Sequence, residues 1–234
     1  MRSFVATILL LVAGCATAPT SPSQPVFIKG PLQGHFESGA FRDKRDWFEV
    51  KAPLPPGDPD YGSMRVNEEY VANASNVGFI LTKSPGEFYD AYVEDFYWAN
   101  HPVPSMGQVA DSAMKVFGTE MVKQRIEPLR LVEERPWHVG KTTGLLRLYT
   151  ERTPTELLML NLGMAEDYTD YILMYVTAQH GKVAMLWMEW PMDCKVCIPL
   201  LPGTATTSVD PIDRALAANG RSGLFMDSFR YDVD

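Results

Sequence analysis

The sequence predicts an α+β fold: a mostly antiparallel β-sheet with helices packed on one or both faces, an α/β/α sandwich in its full form. Three observations predict it. Long segments rich in β-branched and aromatic residues fill the middle of the chain, and two of them are joined by the two-residue turn His180-Gly181. Capping residues followed by apolar residues at helical spacing open segments at Ser105 and Asp210. A composition 46% hydrophobic and 11% aromatic supplies a core and excludes a disordered chain.

Taken in order, the chain opens with Met1-Arg2-Ser3, an apolar stretch over residues 4–13, and Gly14-Cys15. A basic start, a short apolar core and a small residue read as a signal peptide. The stretch is half the roughly 20 residues that cross a bilayer, so a retained transmembrane helix is not expected. Val12-Ala13-Gly14-Cys15 resembles the lipobox of bacterial lipoproteins, with Val12 where Leu is usual. The resemblance implies cleavage before Cys15, diacylglycerol on its thiol, and fatty-acyl chains such as palmitate as a membrane anchor. Ala16, in place of the Asp that marks inner-membrane retention in enterobacterial lipoproteins, implies the outer membrane, facing the periplasm. The alternative is a secreted protein cleaved near Ala16 or Ala18.

Loss of residues 1–14 removes Arg2 and no acid, so the formal charge moves from −8 to −9. An acidic domain repels phosphate backbones, and no nucleic-acid partner is expected. Residues 15–25 hold the lipidated cysteine and a tether containing Pro19, Pro22 and Pro25, too polar to bury surface. Residues 26–234 form a single globular domain.

Within it, residues 46–51, 64–72 and 77–82 read as strands around the turn-rich stretch 53–62. Ser84-Pro85-Gly86-Glu87 has the form of a capping box, and Phe88, Tyr92 and Phe96 follow at helical spacing, so a short helix is predicted; the alternation of Tyr89, Ala91 and Val93 leaves a strand open. A second box, Ser105 to Gln108, starts a helix with Val109, Ala113, Phe117 and Met121 on one face, ended by Pro128. Strands follow at 129–134, 143–151, 168–179 and 182–190; residues 172–178 are apolar on both faces, as in a central strand. A third box at Thr153 to Glu156 points to a short helix over 157–162. Asp210-Pro211 caps a helix through Ile212, Leu216 and Ala217, with a stop or kink at Asn219-Gly220 and a further apolar turn at Phe225 and Phe229.

This order, strands, a middle helix, a long meander and a C-terminal helix ending in Asp227-Ser228-Phe229, resembles the PsbP-like α/β/α sandwich. Members of that family are mostly non-catalytic binding or assembly subunits, which is what the resemblance implies here.

Few residues offer chemistry. Cys194-Lys195-Val196-Cys197 reads first as a structural disulfide outside the cytoplasm; thiol redox, a soft-metal site and free thiols are the alternatives. Pro191, Pro199 and Pro202 around it favour a constrained loop over an activating helix N-terminus. Met185, Met188 and Met192 suit Cu(I) by ligand type, but on a strand Met185 and Met188 face opposite sides. Gly140-Lys141-Thr142-Thr143 lacks the earlier glycine of a phosphate-binding loop, since position 135 is Arg, and reads as a turn. His35, His101, His138 and His180 show no zinc spacing. The acid pairs Glu94-Asp95, Glu133-Glu134 and Glu166-Asp167 read as solvated surface, and Asp58 and Asp60 lack a complete calcium loop. Aromatic crowding at Phe88, Tyr89, Tyr92 and residues 96–98 leaves one face for a hydrophobic or sugar-stacking surface.

The expectation is therefore a lipid-anchored envelope protein, not an enzyme, without cofactor, metal or catalytic residues. Its partners are the membrane through Cys15 and an envelope protein or a small ligand. The alternative is a periplasmic thiol-redox or metal-handling protein using Cys194 and Cys197.

Overall fold

The structure is a computed structural model that describes residues 24–84, 86–95, 105–122, 129–153, 168–191 and 210–232. It is α+β and mostly antiparallel. Twelve strands among these residues form two sheets. The larger has eight strands in the order β1 (Val26–Phe27), β5 (Met64–Val71), β6 (Ala74–Leu81), β7 (Phe88–Asp95), β11 (Lys182–Pro191), β10 (Tyr168–Gln179), β9 (Thr142–Thr153) and β8 (Arg130–Val139). Two meanders, β5-β6-β7 and β8-β9-β10-β11, meet where β7 pairs with β11; only β1 with β5 is parallel. The smaller sheet runs β12 (Arg230–Tyr231), β4 (Phe48–Lys51), β3 (Ala40–Arg42), β2 (His35–Glu37). The sequence reading had a single sheet, because two- and three-residue strands carry no periodicity to detect.

Side-chain alternation divides the large sheet into two apolar faces. Leu146, Leu148, Leu173, Tyr175, Leu186 and Met188 point to one face. There they pack with Phe41, Phe48 and Val50 of the small sheet, with Ile212 and Ala215 of helix α2 (Pro211–Ala218), and with Phe225 and Met226 of helix α3 (Gly220–Ser228). Leu145, Tyr149, Ile172, Met174, Met185 and Trp187 point to the other, where Val109 and Ala110 of helix α1 (Met106–Val122) join them. Strand β10 is buried on both sides from Ile172 to Thr177, as its continuous apolar run predicts.

Helix starts follow their caps. The Ser105 hydroxyl accepts from the Gln108 N–H at 3.3 Å while the Gln108 Oε1 accepts from the Ser105 N–H at 2.9 Å, a reciprocal capping box. Asp210 accepts from the Asp213 N–H at 2.9 Å with Pro211 in the first turn, and α2 gives way to α3 at Asn219. The helix predicted from Ser84 does not form: Phe88–Asp95 is strand β7. Gly86 has φ +81°, which turns the chain, and Glu87 is not a cap. Its carboxylate is buried, taking a hydrogen bond from the Tyr89 hydroxyl, one from Asn219 Nδ2 at 3.3 Å and an ion pair from Arg221 at 2.9 Å. Tyr89, Ala91 and Val93 are fully buried on one face, so the two-residue alternation prevailed over the helical spacing. Phe229 lies just beyond α3 as its cap residue, not on a further helical turn.

Candidate functional site

The hairpin tips of β8–β9 and β10–β11 lie at the same end of the large sheet, since Thr177 pairs with Gly144 and Gln179 with Lys182. Each tip is a tight turn in the left-handed region, Gly140 at φ +57°, His180 at φ +53° and Gly181 at φ +75°. Facing these tips are the end of β4, the end of α3 and strand β12, held by the Lys51 N–H donating to the Ser228 hydroxyl at 2.9 Å and the Tyr231 hydroxyl donating to the Thr177 carbonyl at 3.1 Å. Between them lies an open cleft of about 640 Å³. Lys51, Lys141 and Arg230 bring positive charge to it and Asp227 negative charge; Val139, Phe229 and the Tyr231 ring give it an apolar wall.

Its neutral polar groups are already engaged. Thr142 Oγ1 donates to Gln179 Oε1 at 3.2 Å, Gln179 Nε2 lies 2.8 Å from the His180 ring, and Ser228 Oγ donates to the Phe225 carbonyl at 2.7 Å. Burial pushes the Tyr231 phenol up, so it stays a proton donor at neutral pH. Arg230 pairs with Glu49 at 3.1 Å. Lys51 and Lys141 have no ion-pair partner among the described residues.

A second constellation lies on the α1 face. Glu151 of β9, Asp170 of β10 and Glu189 of β11 place carboxylate oxygens within 4.8 Å of one another, the first two buried and the third half-buried. Glu189 accepts from the Trp187 indole N–H at 3.1 Å. An all-carboxylate set is hard and suits Ca²⁺ or Mg²⁺, not a soft ion. These acids went unnoticed in the sequence because none is adjacent to another. The His180-Gly181 turn sets the β10–β11 register and puts Asp170 diagonal to Glu189; Glu151 joins only through the β9–β10 pairing. Farther along the same face, Asp90 of β7 is buried, and desolvation pushes its carboxyl up to about 7 against the hydrogen bond from Asn76, with Glu69 adding to the rise.

Cys15, Cys194 and Cys197 lie outside the described residues, as do Met192, residues 96–98, the Glu166-Asp167 pair, His101 and the 157–162 segment. Met185 and Met188 belong to opposite apolar clusters and do not share a site. Gly140 is in a turn. Glu133 accepts from the Ile212 N–H at 3.1 Å and Glu134 pairs with Arg147, so both anchor elements. Asp58 accepts from the Asp60 N–H within its own loop. His35 pairs with Glu37 on the surface, and His138 and His180 are exposed. Phe88 and Tyr92 are half-buried on the α1 face, with Phe88 packed into its cluster. No helix among the described residues is long and apolar enough to cross a membrane.

No family model matches the chain, and no curated protein matches it. Among solved structures it is similar to the solution structure of cyanobacterial PsbP (CyanoP) from Synechocystis sp. PCC 6803. The two share 12% identity over 86% of this chain and 98% of that one, with a TM-score of 0.48.

Proposed function

We propose that the chain is a lipid-anchored envelope protein whose folded part, residues 26–234, is a non-catalytic binding module, and that its site is the cleft at the hairpin end of the sheet. The observation that carries this reading is the cleft itself. Its volume of about 640 Å³ falls within the range of small-ligand sites, and its wall joins an apolar surface to a few polar groups. The residues that line it come from hairpin tips and element ends, positioned by a rigid sheet, where binding residues are commonly carried. The anchor in this reading is Cys15, from the lipobox-like Val12-Ala13-Gly14-Cys15, and residues 15–25 are the tether. The PsbP-like α/β/α arrangement belongs to the same proposal and is supported by apolar clusters on both faces of the large sheet, each with helix residues in it.

The test is native mass spectrometry of the protein taken gently from cell envelopes. The expected result is an N-terminal acylated cysteine and a bound small molecule that disappears in Gln179→Trp, which fills the cleft mouth. An unmodified N-terminus refutes the anchor; a ligand retained undiminished in Gln179→Trp refutes the site.

A further inference from the structure

We infer that the cleft recognises an anionic group, a phosphate or a carboxylate, on a small ligand with an apolar body; this rests on the cleft being the binding site. Thr142 donates to Gln179, Gln179 Nε2 lies against the His180 ring, Ser228 and Tyr231 donate to backbone carbonyls, and Arg230 spends one of its N–H groups on Glu49. Among the lining cations, Lys51 and Lys141 have no ion-pair partner among the described residues, and they line the cleft from two elements, the end of β4 and the β8–β9 tip. Two such charges beside a half-enclosed apolar wall attract an anion more strongly than the same charges on open surface, because the wall displaces water. In a chain of net charge −8, most of the surface repels anions and the contrast favours this place. Asp227 opposes the field, so its removal strengthens anion binding while loss of the lysines weakens it.

The experiment is a ¹H–¹⁵N titration of the mature chain, at fixed ionic strength, with inorganic phosphate and with dihexanoyl phosphatidylglycerol below its micelle concentration. The expected result is saturable shifts at Gly140, Lys141, Thr142 and Ser228, at least a tenfold weaker affinity in Lys51→Gln/Lys141→Gln, and a several-fold tighter one in Asp227→Asn. Opposite effects from two variants, all three substitutions being at exposed positions, are not what unfolding produces. Saturation by phosphate supports a soluble ligand; saturation by the lipid alone supports the proposal with a headgroup as the source, provided dihexanoyl phosphatidylcholine binds more weakly. Equal binding of both lipids, or unchanged affinity in the double variant, overturns the anion while leaving the cleft as a site. Shifts absent from the cleft with every probe, including monomeric octyl glucoside, overturn both readings.

Discussion

Asp90 couples stability to pH through a single carboxyl. Its folded pKa of about 7 lies above the ordinary unfolded value near 3.9. Below pH 4 both states are protonated and its contribution is fully present; as pH rises through 7 the unfolded state ionises more readily and stability is lost. Asp90→Asn therefore flattens this part of the pH dependence and leaves the protein more stable at pH 8, by ~4 kcal/mol at most. Urea unfolding at pH 5 and pH 8 checks this, and equal slopes in both proteins count against it. Glu87 is a buried carboxylate held by the Tyr89 hydroxyl, Asn219 and Arg221, and Glu87→Ala strands the half-buried Arg221 guanidinium. A loss of about 3–5 kcal/mol is expected from denaturant midpoints.

Elements show where sequence reading succeeds. The α1 and α2 starts were legible because a cap is a local contract between residues three apart, and the β10–β11 hairpin because its turn chemistry is local too. Strand β7 was not, since its apolar residues fit both periods; what decides between them is its pairing with β6 and with β11, the latter about 90 residues away in sequence. Gly144 carries an analogous tertiary constraint. A Cβ there would sit 2.4 Å from the Val176 carbonyl and 2.5 Å from the Tyr175 ring, so Gly144→Ala costs about 1–3 kcal/mol or more. Gly223 in α3 has nothing within 4 Å of such an atom, and Gly223→Ala is expected to stabilise by about 0.5–1 kcal/mol. Thermal unfolding of the pair gives shifts of opposite sign.

At the scale of the molecule, the small sheet and the C-terminal helices close one face of the large sheet. Phe225 is central to this closure, touching Phe79 and Tyr89 at ring distances of 5.9 and 5.3 Å, while Phe48 stacks on Phe229 at 5.9 Å. The general class was readable from the order of strands and helices, but the cleft was not, because it needs β12 and β4 brought against turns more than 45 residues distant in sequence. Its lysines, scattered singly along the chain, look like ordinary surface until the topology gathers them. We propose this end of the sheet as the place where the protein meets its ligand or partner. This is tested most directly by photocrosslinking in intact cells from a reactive residue placed at Gln179, with Lys83 at the opposite end of the sheet as control. The account predicts adducts from position 179 and none from 83; adducts from 83 alone, or equally from both, contradict it.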